Sequence, residues 1–232
     1  MRKEFFRIQL CMRIRSVLLV LAVLVVVCLF AGSQQADLSV DRVAEGVDRH
    51  YNDLSSLRAQ FTETYRGAGI TRTESGTLWL RRPGKMRWEY TEPKEKIFVS
   101  DGKTAYFYVP GERQARRAPV KDLDDLRSPL RYLLGKTKLK KEFANLTARA
   151  GDHPGTVLIR GVPSSLADRV SEMSLEVDPQ GQIQRILIDE ADGSQTEFIF
   201  SGMQENLAVE DVRFRFQPPP GVEMIEGASV SP

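Results

Sequence analysis

Cysteine and histidine are scarce in this chain, with two of each in 232 residues, and only one long hydrophobic run is present. His50 falls in a helix-like segment and His153 in an Asp-His-Pro-Gly turn, too isolated from each other to suggest a metal site. The sequence has no G-x-S-x-G, no G-x-x-x-x-G-K-[ST] and no cysteine after position 28, which leaves hydrolase, nucleotide-dependent and thiol chemistry without a signature. Ser100-Asp101 and the pair Glu92/Glu95 are better explained as turn and loop chemistry than as catalytic groups. An excess of one charge is also missing: 33 Lys and Arg face 31 Asp and Glu, a formal +2, which makes no case for nucleic-acid binding. With 28% charged residues, a polytopic membrane protein is excluded. The length suits one domain, or at most two small ones, able to bury a sizeable core.

The one hydrophobic run is Val17 to Phe30, 14 residues without a charge. It follows Arg2, Lys3, Arg7, Arg13 and Arg15 and ends at Ala31-Gly32-Ser33, the three parts of an export signal. It is short of the roughly 20 residues that a membrane span needs. Met12 begins a second, more ordinary basic segment, and cleavage is expected after Ser33 or Ala36. The domain expectation is therefore an export signal over 1–36 and a working domain over 37–232. An uncleaved anchor, or acylation at Cys28, are the rival readings, although Val25, Val26 and Val27 replace the small residue that an acylation motif sets before its cysteine. Without the leader, which carries five Lys and Arg and one Glu, the remaining 196 residues fall from +2 to −2 and contain no cysteine. The expected product is a mildly acidic, exported domain that relies on its packed core and not on disulfides.

Within that domain, Val40, Val43, Val47, Tyr51 and Leu54 recur at helical spacing, with Asp37 or Ser39 as the start. From Leu57 the period shortens to two. Leu57/Ala59/Phe61, Gly76/Leu78/Leu80/Arg82 and Met86/Trp88/Tyr90 each share a face, and Pro83-Gly84, Asp101-Gly102 and Pro110-Gly111 mark turns. Residues 119–135 break the rhythm. Leu123, Leu126, Leu130, Leu133 and Leu134, with Ser128-Pro129 at a start and Gly135 at an end, predict one or two short helices. Strand signals resume at 143–150, 156–161, 172–177, 183–189 and 196–200, and Val212, Phe214 and Phe216 alternate before three prolines. The sum is about ten or eleven strands, mainly β with few helices. No second sheet is available to cover the apolar faces, so an open, strongly curved antiparallel sheet wrapping the helices is expected, able to hold an apolar cleft.

The stretch Gly76 to Gln114, GTLWLRRPGKMRWEYTEPKEKIFVSDGKTAYFYVPGERQ, resembles the periplasmic lipoprotein-carrier family, LolA, in its G-x-L-W-x-x-R-P…W…P…V-S-D-G-K-T…Y-x-P…Q pattern. Leu57 to Glu63 is similar to that family's first strand, and Phe214 to Val222 to its F-x-F-x-P-P-x-G-V ending. The resemblance implies an antiparallel half-barrel with helices as a lid over an apolar cavity. It also implies that acylated lipoproteins are taken from an inner-membrane ABC-type release complex to an outer-membrane receptor by a monomeric carrier with no cofactor. On that reading Ala59, Phe61, Leu78, Leu80, Met86, Trp88, Leu130, Leu133 and Leu134 line the cleft, and Val43 and Val47 face it from the first helix. For any one of them, an ordinary closed core is the competing explanation. Arg82, on the face of Leu78 and Leu80, occupies the arginine of the family's R-P pair, and its five donors suit it to latching a helix end reversibly. A solvated arginine at a strand end is its alternative.

Three other roles remain open on the sequence: a membrane-anchored lipoprotein receptor, a sensor of the same architecture, or a carrier of another lipid. Two basic clusters, Arg113/Arg116/Arg117 and Lys136/Lys138/Lys140/Lys141, read first as solvated strand edges and second as docking patches for an acidic partner.

Overall fold

The computed structural model describes residues 39–120, 133 and 138–227. Helix α1 (Val40–Asp53) leads into six strands: β1 (Ser56–Gly67), β2 (Ile70–Arg81), β3 (Lys85–Glu92), β4 (Lys96–Asp101), β5 (Thr104–Tyr108) and β6 (Gln114–Pro119). A single turn of helix, α2 (Leu139–Glu142), precedes β7 (Phe143–Ala150), β8 (Val157–Pro163), β9 (Val170–Val177), β10 (Ile183–Glu190), β11 (Gln195–Glu205) and β12 (Glu223–Glu226). All twelve strands join one open, curved sheet in the order β12-β6-β5-β4-β3-β2-β1-β11-β10-β9-β8-β7. The chain meanders from β1 to β6, passes to the far edge, and meanders back until β11 pairs with β1. That one long-range antiparallel ladder joins the two halves.

The expected alternation is what the sheet displays. From Glu74 to Leu80 on β2 and from Met86 to Tyr90 on β3 every second residue is buried, and Leu57, Ala59 and Phe61 are buried on β1. Gly76 is a requirement of this register. A Cβ there would lie 1.9 Å from the carbonyl oxygen of Glu89, beside the irregularity between Ser75 and Gly76 in the β2–β3 ladder. With no side chain at Gly76, its cross-strand neighbours Phe61 and Tyr90 meet edge to face, their centroids 4.8 Å apart.

The two faces of the sheet differ in how they are covered. Helix α1 buries Ala44, Val47 and Tyr51 on the concave face, and Leu54, in extended conformation, ends it. Its N-terminus is held by the Val43 amide donating to the Ser39 carbonyl at 3.1 Å, with no side-chain cap. The turn before β10 meets the helix backbone to backbone, since a Cβ at Gly181 would lie 2.7 Å from the Gly46 carbonyl oxygen. Outside the sheet, the chain after β11 crosses the convex face of β2 to β5. There Asp211 pairs with Arg81 and Lys85, Arg213 lies 4.0 Å over the Trp79 ring, and Phe216 packs on Tyr106 and Tyr108.

This crossing corrects the expected last strand. Val212, Phe214 and Phe216 do not pair in the sheet; Asp211–Phe214 is a 3-10 turn that buries Phe214 alone. The twelfth strand comes after the prolines instead, and it runs parallel to β6, not antiparallel. It covers the β6 edge, with Arg117 Nε 2.7 Å from Glu226 Oε1. The count is thus twelve where ten or eleven were expected. The short helices predicted within 119–135, with Leu130 and Leu134, lie outside the described residues, apart from Leu133.

On the other half, Glu176 of β9 is fully buried and ties down the loop between β7 and β8. It accepts from the His153 amide at 2.8 Å and from Thr156 Oγ1 at 2.6 Å, and His153 Nδ1 lies 2.9 Å away. Burial pushes this carboxyl up, but the hydrogen bonds of Thr156 and His153 override it and hold it down at about 2. A depressed carboxyl stabilises the fold above its unfolded value of 4.5 and loses that contribution as the pH falls towards 2. Glu176→Gln is therefore expected to lower the urea midpoint at neutral pH, with the gap to the parent closing between pH 4.5 and 2; an equal gap at both ends of that range contradicts the assignment. Gly76→Ala is expected to cost about 1–3 kcal/mol through backbone overlap, read as a fall in melting temperature.

Candidate functional site

The strand register sorts the concave face of the β1–β4 half into rows. Nearest Arg82, Leu57 faces Leu80, which faces Met86. In the next row Ala59 faces Leu78, followed by Trp88 and Phe98. In the third, Phe200 faces Phe61, then Gly76 and Tyr90. The rings interlock edge to face: Phe61 lies 4.7 Å from Trp88, and Phe198 lies 6.0 Å from Trp88. Ala59, Phe61, Leu78, Leu80, Met86, Trp88, Val47 and Leu133 all belong to one buried cluster, with Val43 half-buried against it. Leu130 and Leu134 lie outside the described residues. The structure therefore brings the predicted residues it describes into one place, and brings them there closed. The Trp88 indole N–H is buried without a hydrogen-bond partner among the described residues.

Arg82 sits at the end of these rows, beside the C-terminus of α1. Its Nη1 donates to the Asn52 carbonyl at 2.5 Å and its Nη2 to the Tyr51 carbonyl. These are last-turn carbonyls, which no helical amide satisfies, so a cation with several donors suits them. The space beside it, lined by Leu54, Leu57, Leu80 and Leu133, measures about 10 Å³, room for a single water. The same helix is fixed at two further points. Tyr51 Oη accepts the Ile183 amide at 2.9 Å, and His50 Nε2 lies 2.8 Å from Glu205 Oε1. Burial raises the Tyr51 hydroxyl above its ordinary value, so it remains a neutral phenol. Asp48 reaches the α2 amide of Leu139 at 3.1 Å, and Lys140 reaches Asp41 at 3.0 Å, so part of the second basic cluster serves the helix.

Several members of the site were not singled out from the sequence. Tyr90 continues the Met86/Trp88 alternation, and Phe198 and Phe200 alternate on their own strand, but only the β1–β11 pairing shows that they join Phe61. Glu63 also continues the face of Phe61, and it is a carboxyl on an apolar wall. It accepts from the Tyr90 hydroxyl at 2.7 Å, and burial raises it above the usual carboxylate range.

Residues 52–217 match the family described as outer membrane lipoprotein carrier protein LolA. Curated relatives carry the name outer-membrane lipoprotein carrier protein. One from Serratia proteamaculans is 27% identical over 204 residues, covering 87% of this chain and 96% of its own. One from Chromobacterium violaceum is 30% identical over 174 residues, covering 74% and 82%. Among solved structures, an uncharacterized conserved protein from Thermus thermophilus superposes with a TM-score of 0.53 at 10% identity, over 82% of this chain and 99% of that one, a likeness of fold alone. With the match at residues 52–217 spanning most of the domain, the chain belongs to the LolA family of outer membrane lipoprotein carrier proteins.

Proposed function

We propose that this protein is a periplasmic carrier that shields the acyl chains of lipoproteins between the inner and the outer membrane. Residues 1–36 direct export and 37–232 do the carrying. The observation that carries the reading is the closed apolar cluster beneath α1, whose C-terminal carbonyls are held by a single arginine from the turn after β2. An empty carrier has to hide its ligand surface, because an exposed apolar patch of that size invites aggregation. A loaded one has to expose it.

The energies are compatible with that exchange. Each hydrogen bond from the charged Arg82 contributes about 1.5–3 kcal/mol. An acyl chain with about fifteen buried methylenes is worth about 12 kcal/mol at about 0.8 kcal/mol each. A chain entering the cleft can therefore displace Arg82 from the helix end and the helix from part of its cover. When the chain leaves, the helix and Arg82 return, which favours release over permanent retention. Arg82 thus acts as the reversible latch, with Val43 and Val47 on the moving cover and Leu57/Leu80/Met86 as the first surface uncovered. Cargo arrives from an inner-membrane ABC-type complex and departs to an outer-membrane receptor, and the carrier works as a monomer without a cofactor.

The test uses the purified mature chain with proteoliposomes bearing a triacylated lipoprotein and the release complex. The expected result is a soluble one-to-one complex that then donates to acceptor vesicles carrying the receptor; lipoprotein that stays in the membrane fraction overturns the reading. Arg82→Leu is expected to load but to deliver poorly, since the closed state no longer competes with cargo. A variant that loads and delivers like the parent removes Arg82 from the latch.

A further inference from the structure

The apolar rows of the β1–β4 half do not run the length of the strands. After Leu57, Ala59 and Phe61, the next inward residue of β1 is Glu63, and its direct neighbour on β2 is Glu74. Both are buried, at 9% and 7% exposure. Tyr90 and Lys96, which stand opposite each other at the β3–β4 end of the preceding row, reach the two carboxyls from the side. The groups close on one another. Tyr90 Oη lies 2.7 Å from Glu63 Oε2, Lys96 Nζ lies 2.8 Å from Glu74 Oε2, and Lys96 sits 4.0 Å over the Tyr90 ring. Arg72 Nε adds a contact to Glu74 at 3.3 Å. Two carboxyls directly opposite would repel, and the cations Lys96 and Arg72 beside Glu74 offset that repulsion. At the same level the other half stays apolar through Phe198, Ile186 and Leu175, so the row belongs to one half only.

Resting on the carrier reading above, we infer that Glu63, Glu74, Tyr90 and Lys96 form a polar stop that sets the length of acyl chain the β1–β4 half accepts. Chains enter beside Arg82, where a helix end is held by displaceable hydrogen bonds, and their methyl ends run towards Glu63. The row cannot yield to an alkyl chain as the lid can. Pushing a hydrocarbon into it separates buried charged partners with nothing to replace them, and that costs far more than parting apolar side chains. From Leu57 to Glu63 the strand covers six residues, about 20 Å at about 3.3 Å each, the reach of an extended saturated chain of about sixteen carbons.

The test is the binding of synthetic two-chain lipopeptides with saturated chains of about 12, 16 and 20 carbons, measured by displacement of a fluorescent fatty acid from the mature protein. Two-chain probes are needed because a single chain has the other half of the face to lie on. The parent is expected to bind the 16-carbon probe best and the 20-carbon probe at least about tenfold more weakly. The double variant Glu63→Leu/Tyr90→Phe removes the carboxyl and its hydroxyl partner together, and it is expected to erase that tenfold penalty, while Glu63→Gln retains it. Affinity that climbs through 20 carbons in the parent overturns the stop without reference to any variant, so misfolding of the double variant cannot shelter it. A folded double variant that keeps the penalty, or one that loses affinity equally at every length as a head-group site would, overturns it as well. Failure of every probe to bind the parent is a different result: it removes the carrier reading, and the stop with it.

Discussion

A single sheet with an apolar concave face must be covered by something other than a second sheet, and the rest of this structure follows from that constraint. The described cover is modest: a fourteen-residue helix, Leu133 and one turn of helix before β7. A full cover would make an ordinary core. A thin one, docked by Val47, Tyr51 and Leu54 and pinned at its end by Arg82, closes the face with little material. Where α1 meets the turn at Gly181, even a methyl group would strike helix backbone, so the seat of the helix is fixed by close approach as well as by apolar contact.

The position of β1 explains why the two halves act as one surface. It pairs with β2 through a short hairpin and with β11 across most of the sequence. The first ladder is local and the second is not, so the aromatic cluster spanning Phe61, Trp88, Phe198 and Phe200 exists only after the halves have joined. Formation of the site and closure of the fold are the same event. Over β9 to β11 the convex face has the opposite character, with paired charges such as Arg185 between Asp152 and Glu197.

This division also accounts for what could be read from the amino-acid sequence. Hairpins with their own turn chemistry were legible: Asp101-Gly102 between β4 and β5 needs only four residues to declare itself, and the Asp101 carboxylate does bond the amides of Lys103 and Thr104. The alternation of Leu78, Leu80 and Arg82 placed the arginine on the apolar face, and its partners are helix-end carbonyls. The last strand was not legible. Phe214 and Phe216 alternate as a strand would, but their burial comes from crossing the convex face, while the true strand at Glu223–Glu226 is four residues long and owes its place to a parallel edge over a hundred residues away. Membership of the aromatic cluster was hidden for the same reason, since register between β1 and β11 has no local signature.

Glu63 and Glu74 show how the two kinds of information combine. In the sequence each is one more charge in an alternating strand, and alternation predicts only that they point inwards with Phe61 and Gly76. An isolated inward carboxyl would be expensive, and two facing each other more so. The structure supplies what makes the pair tolerable, a phenol hydroxyl for one and an ammonium group for the other, both from strands that reach the row through the β2–β3 and β3–β4 ladders. The cleft is therefore bounded by polar groups of opposite behaviour. At one end Arg82 holds the carbonyls of Tyr51 and Asn52, groups that water can also satisfy, which is why the proposal lets that end open. At the other, Glu63 is held by the Tyr90 hydroxyl and Glu74 by Lys96 and Arg72, partners that an alkyl chain cannot replace, and the proposed stop rests on that difference.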